Sequence, residues 1–208
     1  MTDEIRVPAH LASAIRIHII GGPAAGKSTL ARRLGAVLDL PVYELDKIAF
    51  EGSDFQEQPL ARRAAAVREI AALPRWVTEG IFLDWTDPLL ERAEAIIWLD
   101  HGTWRHSALR TLHRTVRGAL REVRKRRGHE RFLRVGDYGR NLTMLASVLS
   151  ASRWYWSPVG ETSRYPVTRE QTAQQLASHS DKVVHIRDRR GAEDLPLVLA
   201  SRRALVAP

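Results

Sequence analysis

Residues 21–28 read Gly-Gly-Pro-Ala-Ala-Gly-Lys-Ser, a G-x-x-x-x-G-K-S run between the apolar stretch Ile15 to Ile20 and a segment from Lys27 to Leu38 with helical spacing (Leu30, Leu34, Val37, Leu38). This run limits the fold more than any other feature, because its chemistry requires a strand-to-helix turn. Glycine lets the backbone wrap a phosphate and point its N–H groups inward, while the helix that starts behind it adds positive potential. Lys27 supplies a point charge between phosphates and Ser28 a hydroxyl for Mg²⁺. Gly21, Gly22, Pro23, Ala24, Ala25, Gly26, Lys27 and Ser28, with Thr29 inside the helix, are the candidate nucleotide-binding residues.

The rest of the chain alternates in the same way. Val42 to Leu45 reads as a strand after Pro41, Leu60 to Leu73 as a helix ended by Pro74, and Trp76 to Thr78 as the start of a third strand. Asp87-Pro88 opens a short helix, Ala95 to Leu99 is a fourth strand, and a long helix spans Trp104 to Arg127. Less regular sequence fills 128–165, the lid or insertion region. A helix follows over about Thr168 to His179, then a fifth strand at Val183 to Ile186 and a closing helix. Alternating βα units predict a parallel sheet sandwiched by helices, with ligands outside the carboxyl ends of the strands. At 208 residues the chain predicts a single domain with room for an insertion. The first fourteen residues read as an N-terminal extension with a disordered start. They lack the apolar run of a signal peptide, and no stretch reaches membrane length, which predicts a cytoplasmic protein. With no Cys, thiol catalysis, thiolate metal sites and disulfides are excluded. The eight histidines form no i, i+4 metal pair.

A phosphate loop needs a carboxylate on its metal side and cations to neutralise the transferred group. Asp46 follows the second strand and Glu79 ends the third, so both should project toward the loop if the strands run parallel to the first. Glu79 is the candidate metal carboxylate beside Ser28, and Asp46 the group that orients or deprotonates an acceptor. Asp100, at the end of the fourth strand, reads as a turn or cap residue.

The net charge of +8 is local. Between Arg105 and Arg140, twelve Lys+Arg stand against three acids, or +9, which leaves about −1 for the remainder. Arg110, Arg114, Arg117, Arg121 and Arg124 recur at helical spacing beside a second stripe of Leu109, Leu112, Val116, Leu120 and Val123. Arg110 and Arg114 are the candidate phosphate clamps, and the wider basic stretch fits a polyanion, either a phosphorylated small molecule or nucleic acid. Trp154, Tyr155 and Trp156 read as a packed cluster of the lid or core.

The Walker motif, the Pro-Val-Tyr-Glu-Leu-Asp segment ending at Asp46, Trp76-Val77-Thr78-Glu79-Gly80, Ile96-Ile97-Trp98-Leu99-Asp100 and the Arg-rich helix together resemble the adenylate-kinase-like P-loop NTPases. The branch most similar is the topology modulation proteins. The resemblance covers about 15–127 and returns at Lys182 to Arg190. It implies an α/β P-loop NTPase fold, a five-stranded parallel sheet sandwiched by helices with a helical Arg-rich lid. It also implies ATP with Mg²⁺ at the loop and a base-contacting loop near Arg187 and Arg189. Glu79 stands where that family usually has Asp.

Three functional readings follow, in this order. The first is a kinase transferring the γ-phosphoryl group of ATP to a small-molecule or nucleotide acceptor. The second is a nucleic-acid-associated NTPase with Arg105 to Arg140 as its footprint, and the third a nucleotide-binding regulator without efficient chemistry. The acceptor, the preference between ATP and GTP and the oligomeric state have no diagnostic motif.

Overall fold

The computed structural model describes residues 8–52, 56–125, 150, 153–157 and 167–206, apart from side chains at 9, 114–116, 118–125 and 202–206. Its centre is a five-stranded sheet. The strands are β1 (Arg16–Gly21), β2 (Val42–Glu44), β5 (Trp76–Gly80), β6 (Ala95–Leu99) and β7 (Val183–Ile186), in the order β2-β5-β1-β6-β7. Every pair in it is parallel. β3 (Phe50–Glu51) and β4 (Gln56–Glu57) make a separate antiparallel pair that the sequence reading does not contain.

The central strands are apolar on both faces because both are covered. On one side Ile17, Ile19, Val77 and Ile97 pack with Leu30 and Leu34 of α2 (Lys27–Leu38), and with Leu195 and Leu199 of the closing helix, α8 (Arg189–Val206). On the other, Ile20, Trp76, Ile96 and Trp98 meet Val67 and Ile70 of α4 (Leu60–Ala72), Leu89 and Leu90 of α5 (Asp87–Arg92), and Leu176 of α7 (Arg169–Ala177). Two-residue periodicity assigns neighbouring positions of one strand to opposite layers.

Helix ends follow local chemistry. α2 stops where Asp39 turns left-handed (φ 51°) and donates its N–H to Gly35 O. α4 is bracketed by Pro59 and Pro74, and α7 starts from a reciprocal capping box of Thr168 and Gln171. The second strand ends one residue early, since Leu45 already caps a four-residue helix, α3 (Asp46–Ala49). α6 (Trp104–Lys125) begins where helical spacing predicts, after a turn with Gly102 at φ +95°. Its expected end at Arg127, and most of 128–165, lie outside the described residues.

The expectation of an extension over the first fourteen residues needs correction at its C-terminal part. Ala9–Ser13 forms a helix, α1, whose Leu11 is fully buried in the same layer as Leu195 and Leu199. One apolar side chain in a short polar segment is a weak signal by itself, and it becomes structural only against a partner from the other end of the chain. Among the described residues no helix is long and apolar enough to cross a membrane.

Candidate functional site

The loop between β1 and α2 owes its shape to two glycines with different duties. A Cβ at Gly21 would lie 2.4 Å from Leu99 O on the neighbouring strand, so a side chain there collides with β6. Gly26 has open space around it but a φ of +100°, which disfavours any L side chain. Ala24 is left-handed as well (φ 54°) despite its methyl group, and its carbonyl accepts from Arg110 Nη1 at 3.1 Å.

Lys27 bends back over this loop. Its Nζ donates to Gly21 O at 2.9 Å and Gly22 O at 3.0 Å, which encloses the 21–27 backbone around the ammonium. The N-cap of α2 is Gly26, which has no side chain to cap the helix. Its first-turn N–H groups therefore suit an anion, which the helix field also favours. Thr29 is exposed in the same turn.

Parallel register brings the acids to this point. Glu79 pairs with Ile19 of β1 on one side and Glu44 of β2 on the other, and it is only 2% exposed. Burial pushes its carboxyl pKa up, and the Asp46 and Glu44 charges add to this, while Lys27 and a hydrogen bond from the Ser28 hydroxyl pull the other way. Ser28, Glu79 and Lys27 thus meet as the motif and strand-end argument expects, with Asp46 exposed at the first position of α3 within electrostatic reach. Glu44 was not singled out from sequence, although a charged residue in a strand beside the loop is the available signal.

The donor set fits Mg²⁺. Among the described residues no three His, Cys, Asp or Glu side chains group as a metal site. A magnesium ion carried by phosphates needs only one or two hard oxygens from protein, and Ser28 and Glu79 offer a hydroxyl and a carboxylate already in contact.

Of the candidate arginines, Arg110 reaches the loop. The side chain of Arg114, one turn further along α6, lies outside the described residues, as do those of Arg121 and Arg124. Arg187 and Arg189 are exposed; Arg187 Nε donates to His185 Nδ1 at 3.4 Å, and Arg189 Nε to Glu193 at 2.6 Å within α8.

Asp100 does more than end a strand, which corrects its reading as a turn or cap. Its carboxylate accepts two bonds from Arg169, at 2.6 and 2.7 Å, and stands 2.7 Å from His185 Nε2. Burial alone would raise its pKa, but the Arg169 and His185 hydrogen bonds together outweigh that and hold the carboxyl below its usual range. His185 stacks on Trp98 at 4.1 Å between centroids, and Trp98 Nε1 donates to the buried Tyr155 hydroxyl at 3.4 Å. Trp98 and His185 lie in segments that carry the family resemblance, but nothing in the sequence joins them to Arg169.

His18 is a different kind of buried polar group. It lies fully buried in β1, with Nδ1 2.8 Å from Thr78 Oγ1 and Nε2 without a partner among the described residues. Burial, helped by the Lys27 charge, lowers its pKa to about 3.

No protein-family model and no curated protein matches this chain. Among solved structures it is similar to a gluconokinase from Sinorhizobium meliloti 1021, with 16% identity, 90% of this chain and 92% of that one covered, and a TM-score of 0.41. It is also similar to shikimate kinases from Bacteroides thetaiotaomicron (14% identity, 93% and 98% covered, TM-score 0.39) and Aquifex aeolicus vf5 (12%, 92% and 94%, TM-score 0.40). At these values the likeness assigns no substrate to this chain.

Proposed function

We propose that this protein binds ATP with Mg²⁺ at the 21–28 loop and transfers the γ-phosphoryl group to the hydroxyl or phosphate oxygen of a small-molecule or nucleotide acceptor. One observation carries the reading: Lys27, Ser28 and Glu79 converge at the carboxyl ends of adjacent parallel strands, where α2 begins without a side-chain cap. The membership of the topology modulation branch that the sequence resemblance suggests belongs to the same proposal.

Each residue has a distinct task. The loop N–H groups and the start of α2 hold phosphate oxygens, and Lys27 exchanges its bonds to the Gly21 and Gly22 carbonyls for bonds to phosphate. Ser28 and Glu79 would hold the Mg²⁺, which supplies charge neutralisation for the phosphate oxygens. Asp46, exposed within electrostatic reach of Glu79, orients the acceptor and takes the proton of a hydroxyl acceptor. Arg110, tied to Ala24 O, extends a guanidinium from α6 to the loop, where it can bond the developing charge on the transferred group; Arg114 is proposed to join it.

The test is a screen of nucleotides and small hydroxyl compounds with γ-labelled ATP, in which label should move to one acceptor class. The carboxylates should separate in the same assay. Glu79→Gln should impair hydrolysis and transfer alike, whereas Asp46→Asn should mainly impair transfer, each by roughly 10²-fold or more. Normal turnover in both variants would reduce the two acids to structural roles.

A further inference from the structure

Gly22 poses a question that the loop motif does not answer. It is not among the glycines with positive φ, so its backbone asks for no special freedom. Its reason is steric. A Cβ at residue 22 would stand 2.7 Å from Cε1 and 2.8 Å from Cδ1 of Tyr155, inside any normal contact distance. Tyr155 is 1% exposed, so its ring cannot step aside into solvent.

The ring is held from several directions. Its hydroxyl accepts from Trp98 Nε1 at 3.4 Å, and the ring makes a T-shaped contact with Trp156 at 5.4 Å and 88°. Trp98 in turn stacks on the His185 ring and has the Arg169 guanidinium 5.9 Å from its indole centroid, and Asp100 binds both. The Gly22 peptide is also held by hydrogen bonds, because its carbonyl accepts from Lys27 Nζ at 3.0 Å and Ala25 N at 3.2 Å.

We infer that Tyr155 is a positioning residue for the phosphate loop: its ring fills the space of the missing side chain at residue 22 and holds the 21–26 backbone in the phosphate-accepting shape. The inference rests on the reading of that loop as the ATP site. Its consequence appears when phosphate arrives. Lys27 then gives up Gly22 O, while the Ala25 N–H and the aromatic ring still hold the peptide. A loop already shaped by packing loses less freedom on binding.

The experiment compares Tyr155→Leu, Tyr155→Phe, Gly22→Ala and the Gly22→Ala/Tyr155→Leu pair in the full chain. Two readouts are used: amide hydrogen exchange at Gly22, Ala24, Ala25 and Gly26, and calorimetric MgATP titration. Tyr155→Leu should speed loop exchange and weaken ATP binding at least tenfold, while Tyr155→Phe, which keeps the ring, stays within about twofold of wild type. Gly22→Ala should cost at least tenfold in affinity with Tyr155 present and much less in the pair, because the ring that the methyl strikes is gone. Loop exchange unchanged in Tyr155→Leu, or an equal Gly22→Ala penalty in both backgrounds, overturns the inference. If Tyr155→Leu does not fold, Gly22→Ala alone decides it: wild-type exchange and affinity in that variant refute the steric contact. A wild-type chain that binds no ATP sinks the kinase reading instead, and the exchange comparison still decides what Tyr155 does to the loop.

Discussion

Lys27→Ala is expected to weaken MgATP binding at least tenfold, about 1.4 kcal/mol, and to slow phosphoryl transfer by a further factor of roughly 10²–10³. The ammonium is the cation enclosed by the loop itself, between the carbonyls of Gly21 and Gly22. Arg110 also reaches the loop, but Nη1 is engaged by Ala24 O, so its guanidinium cannot take the central position without giving up that bond. Lys27→Arg should fail to restore the rate, since a planar fork does not reproduce a compact point charge between phosphates. Binding loss reports the ground-state contact. The larger loss in rate reports charge that grows on the β–γ bridge during transfer. Calorimetric titration and single-turnover transfer separate the two, and equal ATP affinity in wild type and Lys27→Ala removes the phosphate-loop reading.

The second large effect is on stability rather than activity. His18 has a pKa of about 3 in the folded protein against an unfolded value near 6.5, so below pH 6.5 the unfolded chain binds the proton more readily. Its stabilising contribution is complete above pH 6.5 and is lost as pH falls toward 3. The linkage amounts to roughly 1–2 kcal/mol between pH 6.5 and 5, and on the order of 4 kcal/mol by pH 3. His18→Leu should remove that part of the acid sensitivity, leaving the Thr78 hydroxyl to bond its own backbone. Chemical denaturation at a series of pH values measures it. The interval from pH 6.5 to 5 is most informative, because Asp100, whose pKa is held low, titrates below it. The idea fails if wild type and His18→Leu lose stability in parallel over that interval.

Local chemistry accounts for most of the helices. The start of α2 follows from the loop, α4 from Pro59 and Pro74, α5 from Pro88 in its first turn, and α7 from the Thr168–Gln171 box, all within a few residues of the element concerned. The paired strands β3 and β4 escaped because two residues are too few for a period, and α1 because one leucine makes no stripe.

The candidate site divides along the same line. The Gly21 to Ser28 run was legible because its motif is made of consecutive residues. Glu79 was legible because a strand end in a parallel sheet points one way and register sets it beside β1 and β2, whereas Asp46 comes near it from the first position of α3, just past the end of β2. Glu44 was passed over because its importance comes from the strand beside it rather than from its own neighbours.

By itself the sequence determined the order of the five sheet strands and of the larger helices between them, and the 21–28 motif at the turn from β1 to α2. These follow from spacing and backbone preference acting over a few residues. Only the tertiary structure decided that Asp100 binds Arg169 and His185, that Arg110 reaches Ala24, and that Tyr155 takes the place of a side chain at Gly22. Each of those contacts joins residues far apart in the chain. Each exists because close packing brings their elements together, a condition that no local pattern of residue types encodes.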